Sequence, residues 1–236
     1  MKIADPNQTT LLNEVQLMLD TLPFDGATVL ELGCGKAEKT RTLAETGRVK
    51  EIIALEVDMI QHARNVQITD LPQVSFRQGG AEAIPLADAS VDIVLMFKSL
   101  HHVPVASMAA AMADIARVLK PGGLAWISEP VYAGELNEIF KLFHDEKIVR
   151  EAAFAALCQA VDAGLLTSQQ QLFFNTRSYF ETFEQFDQRM IQVTHTNHQL
   201  DPDLYRQVKE KFSAYLTPQG ATFHNPQRVD LLRKLA

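Results

Sequence analysis

The sequence predicts an α/β fold with a doubly wound, mostly parallel sheet. Strand-like runs that are apolar on both faces, among them "ATVLEL" and "VDIVLMF", alternate with single helical stretches. The first run leads directly into a glycine turn, "GCG", and then a helix. Right-handed crossovers between such units give a sheet covered on both sides, with ligands at the C-terminal strand ends. With 236 residues, 47% of them apolar, the chain can bury one sizeable core.

Residues 9–22 place Leu11, Leu12, Val15, Leu19 and Leu22 at helical spacing, and Pro23 with "FDG" closes that helix. "ATVLEL" is the first predicted strand, with a helix over 38–46. "EIIALEV" is the second, with a helix over 59–69. "VSFRQG" is a short third strand before the loop "GAEAIPLADAS". "VDIVLMF" is the fourth, followed by a helix over 105–119. "LKPGG" then turns the chain into the fifth, "LAWISEP".

After Pro130 the texture changes: ten of the 13 Phe and all four Tyr lie there. Residues 134–166 read as helical with a break near His144 and Asp145, and "TFEQFDQRMI" as a further helix. "QVTHT" and "RVDLLRK" read as late strands. The expected organisation is an N-terminal helix over 1–22, a ligand-binding core over 23–130, and a third part over 131–236. That last part is read as a helical, aromatic-rich cap or insertion plus elements that complete the sheet.

Composition narrows the function. The net charge of -7, from 22 basic and 29 acidic residues, argues against general nucleic-acid binding, which needs a basic footprint. Cys34 and Cys158 form neither a metal-ligand pair nor a disulfide framework. No apolar stretch follows Lys2, and no window approaches the roughly 18 apolar residues of a membrane span. The expected location is cytoplasmic, and the oligomeric state is not legible.

The turn in "VLELGCGKAEKT" allows two nucleotide ligands. A pyrophosphate on the helix N-terminus needs a third glycine three residues after Gly35, where Glu38 stands. Glu31 and Glu38 would then each repel the diphosphate by about 3 kcal/mol at roughly 5–6 Å and an effective dielectric near 20. A ligand with a cationic end reverses the sign. S-adenosylmethionine has an α-ammonium, a sulfonium and a ribose, and no phosphate. Glu31 can face the ammonium, directly or through water, while Gly33 to Gly35 lie against the ligand without a Cβ clash. Glu56, 21 residues after Gly35, ends the second strand and can accept both ribose hydroxyls.

"VLELGCGKAEKT", "ALEVD", "QGGAEAIPLADASVDIVLMFKSLHHV" and "ARVLKPGGLAWISEP" together resemble class I S-adenosylmethionine-dependent methyltransferases. The resemblance spans residues 27–130 and is nearest the small-molecule branch typified by quinone-biosynthesis C-methyltransferases. It implies a Rossmann-like fold and S-adenosyl-L-methionine as cofactor. The methionine part would lie on Glu31, Gly33, Cys34, Gly35 and Lys36, the ribose on Glu56 beside Val57, and the adenine on Gly80, Ala81 and Glu82. Two positions depart from the family: its third glycine is Ala37, and its acid before the Ala-Glu pair is Gly80. Either Glu82 or backbone at Ala81 replaces that acid, or adenine is held less tightly.

Phe97, Lys98 and His102 follow the fourth strand, where the transferable methyl should lie. His102 is a candidate for contact with cofactor or acceptor, and with Glu129 and Tyr132 for catalysis. A lysine beside a sulfonium must turn away or pair with the cofactor carboxylate. Adjacent His101 and His102 point apart in an extended segment, so no metal is expected. Cys34 reads as a small residue rather than a nucleophile, and His195 and His198 as surface residues. Phe173, Phe174, Tyr179, Phe180, Phe183 and Phe186 divide between core and a substrate-facing cap. The expected reaction is methyl transfer to a small, apolar or aromatic acceptor by in-line displacement, with positioning as the main catalytic factor. The alternatives are carboxymethyl-cofactor or tRNA-related chemistry on the same cofactor, and a non-catalytic cofactor-binding homologue.

Overall fold

The computed structural model describes residues 1–193, 196 and 198–235. Its first half alternates strands and helices: α1 (Glu14–Thr21), β1 (Thr28–Leu32), α2 (Glu38–Glu45), β2 (Glu51–Glu56), α3 (Met59–Asn65), β3 (Val74–Gln78) and β4 (Val91–Phe97). Two 3-10 turns, Leu100–His102 and Val105–Ser107, lead into α4 (Met108–Val118) and β5 (Leu119–Pro130). Then come α5 (Glu135–Phe140), α6 (Lys147–Asp162), β6 (Thr167–Phe180), α7 (Phe183–Phe186), a π-turn (Asp187–Ile191), α8 (Pro202–Ser213) and β7 (Ala221–Arg233).

The strands form one seven-stranded sheet in the order β3-β2-β1-β4-β5-β7-β6. β1 to β5 pair in parallel, and β7 runs antiparallel to both of its neighbours. Strand order reverses between β1 and β4, which is where a doubly wound sheet opens a crevice at its C-terminal edge. Gly33 follows β1 and Lys98 follows β4, so both stand at that crevice.

Alternate side chains of each central strand feed opposite faces. Leu30, Val94 and Met96 pack with α4 and α6, while Val29, Ile93 and Leu95 pack with α1 and α2. Every residue of β1 is buried, as expected for a strand covered on both sides.

Several boundaries differ from the sequence reading. α1 starts at Glu14 rather than near Thr9, because the Asn13 side chain accepts from Val15 N and Gln16 N and caps the helix there. The residues before it run beside β6, with Leu12 N donating to Asn175 O at 3.0 Å. α3 stops at Asn65 rather than Thr69, as the β-branched Val66, Ile68 and Thr69 disfavour further helix. The "KPGG" turn lies inside β5 as an irregularity between the pairs Val91–Leu119 and Ile93–Leu124. Helix α6 ends at Asp162, and the break near His144 falls between α5 and α6. The predicted strand "QVTHT" falls partly outside the described residues, as does His195.

The aromatic stretch is a larger correction. Phe173, Phe174, Tyr179 and Phe180 belong to the edge strand β6, not to a cap. Phe180, Phe183 and Phe186 pack with Phe212 and Phe223 into a separate apolar cluster. Phe174 joins the core beneath α1, and Tyr179 is 40% exposed. None of the six lines either cavity described below. A cluster of rings stacking edge-to-face on one another, as Phe180 does on Phe186 at 5.3 Å, is a core in its own right.

Candidate active site

A cavity of about 690 Å³ opens at the β1–β4 crevice, within the range that holds a nucleoside-sized ligand. The turn after β1 forms its floor. Gly33 has φ +71°, and a Cβ there would stand 2.8 Å from Ser99 Cβ, so only glycine lets the β1 and β4 ends approach. Ser99 Oγ donates to Leu32 O at 3.0 Å across the same gap.

Glu56 is the best-oriented acid of the site. Gly35 N donates to its Oε2 at 2.7 Å and Asp58 N to its Oε1 at 2.9 Å. Each oxygen keeps one lone pair, and the side chain lines the cavity, so the carboxylate is held ready for two further donors. Asp58 itself caps α3 through Ile60 N and Gln61 N. Val57, 60% exposed, offers an apolar surface beside it.

Beside Gly80 stands a carboxylate. A Cβ at Gly80 would fall 2.4 Å from Glu82 Oε2, so the carboxylate of Glu82 lies over the space that a side chain at position 80 would fill. Gly80, Ala81 and Glu82 all line the cavity. The Glu82 carboxylate thus stands close to where an acid at position 80 would begin.

Ala37, where a third glycine was expected, has left-handed backbone with φ 59° at the start of α2. Left-handed alanine costs about 1–2 kcal/mol. Glycine would relieve this, but it adds about 0.5–1 kcal/mol of chain entropy and removes a buried methyl worth about 0.8 kcal/mol. These cancel. Ala37→Gly is therefore expected to change stability by less than about 1 kcal/mol in urea unfolding, and a larger loss would mean that the methyl is needed.

Not every expected residue reaches the cavity. Gly33, Gly35, Lys36, Glu56, Val57, Gly80, Ala81, Glu82, Phe97 and His102 line it. Glu31 lies beneath the turn, 3% exposed, where Thr40 Oγ1 donates to its Oε2 at 2.6 Å. Burial, partly offset by Thr40, pushes its carboxyl up to about 7. Cys34 is buried behind the turn, and burial pushes its thiol well up, which leaves it inert. Tyr132 lines neither cavity; its phenol bonds to Asp145, which raises its pKa.

A second cavity, about 300 Å³, lies among β5, α5, α6 and β7 and shares Lys98 and His102 with the first. Behind it sits a buried ion network. The Leu100–His102 turn replaces the expected extended segment, and so brings the His101 and His102 rings to 4.1 Å rather than pointing them apart. Glu129, 2% exposed, accepts from Leu100 N at 3.0 Å and contacts His101 Nδ1 at 2.5 Å. His101 Nε2 faces Glu146 at 3.6 Å, and Arg150 holds Glu146 at 2.6 Å. Burial alone would lower the His101 pKa, but the two carboxylates push it up to about 9. Glu129 thus lines neither cavity and contacts the second through His101. His198, half-buried, packs its ring on Phe143 and His144 rather than lying on an open surface.

His101, His102 and Glu146 bring ligand atoms within 4.8 Å of one another, a spacing that suits a cation. The surrounding charge opposes one, since Arg150 already engages Glu146 and Lys98 faces the same cavity. No metal is assigned.

Sequence reasoning placed Lys98 but missed its importance. It has left-handed backbone, φ 54°, at the end of β4, and lines both cavities. Its side chain is open to the cavities, while the protein wrapped around it lowers its pKa. Asn137, Arg150 and Gln227 carried no sequence signal, for they meet at the second cavity only through the fold.

Residues 30–127 match the family model of a methyltransferase domain. A methyltransferase of Mycobacterium tuberculosis is 38% identical over 121 residues, which cover 50% of this chain and 47% of that protein. A demethylmenaquinone methyltransferase of Tropheryma whipplei is 35% identical over 104 residues, covering 44% and 42%. Over that segment the chain is similar to methyltransferase domains. The fold extends beyond the matched segment. The YcgJ protein from Bacillus subtilis superposes on this chain with a TM-score of 0.66, covering 94% of this chain and 98% of that one at 20% identity. The chain spans about half the length of the curated relatives it matches. No helix among the described residues is long and apolar enough to cross a membrane.

Proposed function

We propose that this protein transfers a methyl group from S-adenosylmethionine to a small molecule, with the cofactor in the larger cavity and the acceptor beside Lys98 and His102. One observation carries the reading: a glycine turn and a doubly braced Glu56 meet at the sheet's reversal point. The cofactor supplies a methyl already activated by its sulfonium, so the chain's own work is binding, alignment and exclusion of water. Glu56 would accept the ribose hydroxyls and Glu82 the adenine amino group, with Val57 against the base. Gly33 and Gly35 would let the methionine part lie on the backbone. His102, which lines both cavities, is the proposed acceptor of a proton from the methyl acceptor.

Glu82 over Gly80 supports an intact adenine site, which weakens the non-catalytic alternative. The proposed small-molecule acceptor fits the narrow second cavity better than an RNA would. A cytoplasmic setting is proposed with it. Calorimetric titration with S-adenosylmethionine, followed by incubation of metabolite extracts with methyl-labelled cofactor, tests the reading. Absence of cofactor binding would overturn it.

Glu31 gives the binding a pH signature. Its carboxyl, raised by burial to about 7, is neutral below that pH and anionic above it. An anion beneath the turn favours a cationic ligand end, so affinity should rise severalfold from about pH 6 to about pH 8. It should flatten once the α-ammonium itself titrates, near about 7.7–8.0. Glu31→Gln should bind more weakly at about pH 8 and lose the slope, as titrations at several pH values would show.

A further inference from the structure

We propose that the second cavity is a carboxylate-binding subsite that takes a small hydroxy or amino acid as the methyl acceptor; this deepens the methyl-transfer reading and rests on it. Lys98, Arg150 and Arg189 line that cavity, with His101 held protonated by its carboxylate partners, against one carboxylate, Glu146. Arg150 spends its charge on Glu146, at 2.6 Å. Lys98 is different. Among the described residues no carboxylate oxygen lies within 4.0 Å of its ammonium, its backbone is left-handed, and it lines both cavities. Strain retained at a cavity wall is a mark of function.

Two buried polar atoms of the same wall also lack partners. Asn137 and Gln227 are 9% and 2% exposed, yet Asn137 Nδ2 and Gln227 Oε1 make no hydrogen bond. Their amide orientations follow from their neighbours. Asn137 Oδ1 accepts from Arg150 Nη1 at 3.1 Å, so its nitrogen is the orphan. Gln227 Nε2 donates to Asn225 O at 3.2 Å, so its oxygen is the orphan. Buried polar groups are nearly always paired, so two orphans on one wall favour a polar partner there.

The donor and acceptor pattern defines that guest. An ammonium at Lys98 and an N–H at Asn137 call for a carboxylate. The orphan oxygen of Gln227 calls for a hydroxyl or amine donor on the same molecule. A volume of about 300 Å³ keeps the guest small. An acceptor without a carboxylate would leave both orphans and the ammonium unanswered, which disfavours the purely apolar members of the acceptor class expected from the sequence.

The test uses lactate, glycine and 4-hydroxybenzoate, each beside the amide that lacks its carboxylate charge, titrated into the protein with and without saturating S-adenosylhomocysteine. At least one acid should bind about tenfold more tightly than its amide. Asn137→Leu and Gln227→Leu line only the second cavity, and should each weaken that acid about tenfold while S-adenosylhomocysteine affinity stays within about twofold. Lys98→Met should abolish the preference for acid over amide. Amides binding as well as acids, no acid binding at all, or folded variants that bind the acid like the wild type would each overturn the subsite. Selective acid binding by a protein that does not bind S-adenosylhomocysteine would overturn the methyl-transfer reading and leave the subsite standing.

Discussion

Replacing Glu56 by alanine is expected to weaken S-adenosylmethionine binding by at least about a hundredfold. Two hydrogen bonds from the ribose to a carboxylate are worth about 1.5–3 kcal/mol each, and a hundredfold change requires only about 2.8 kcal/mol. The loss has a second source. Glu56 also accepts from Gly35 N and Asp58 N, so its removal loosens the glycine turn and the entry to α3 together. Glu56→Gln keeps one acceptor oxygen but presents a donor to the other partner, and should fall between wild type and alanine. Calorimetry on variants with native far-ultraviolet circular dichroism decides the matter. Unchanged affinity in a folded Glu56→Ala protein would remove this residue from the cofactor site.

Glu129→Ala should be the most destabilising single change around the two cavities. The pair it forms with His101 is 2–4% exposed, and breaking a buried pair costs about 3–5 kcal/mol. Without Glu129, burial drives His101 towards its neutral form, and Leu100 N loses its acceptor. At about 2–4 °C per kcal/mol for a chain of this size, the melting temperature should fall by about 6–20 °C. The pH dependence identifies the cause. The folded-state pKa of His101 is raised from 6.5 to about 9, so its contribution is fully present below pH 6.5 and is lost as pH rises through about 9. That contribution is about 3 kcal/mol. Wild-type stability should therefore decline across this window, and Glu129→Ala should decline much less. Parallel curves for the two proteins would show that the ion pair is not what Glu129 provides.

The parallel half of the fold was legible because its strands are buried on both faces. A run such as "VDIVLMF" has no reading as an exposed segment, and its neighbours carry glycine or proline punctuation. β6 escaped for the opposite physical reason. It is an edge strand whose beginning, "TSQQQ", is largely exposed and polar, so neither apolar continuity nor strict alternation marks it. Its aromatics then looked like an appendage because an antiparallel partner far along the chain, β7, was needed to give them a face. The same contrast holds at the site. Glu56, Gly33 and Gly35 sit within one strand-turn-helix unit and its neighbour, and their spacing carries their chemistry. Asn137 and Gln227 are separated by 90 positions and are brought together only by β7 entering the sheet. His101 was misjudged because a 3-10 turn, which sequence spacing does not announce, replaced an extended segment.

The position of β7 also governs how the sheet can be assembled. It lies between β5 and β6 yet follows both in the chain. During synthesis β5 is complete about ninety residues before its outer partner emerges, so its hydrogen-bonding edge stays open throughout that interval. β6 cannot cover it directly, because the space between them belongs to β7. The parallel core can form early, but closure must wait for a long-range insertion into a preformed gap, the kind of pairing that is slow and exposes unpaired edges. Folding of this protein should therefore depend on holding that slot open for residues 221–233, and the strand that arrives last locks the second cavity's wall in place.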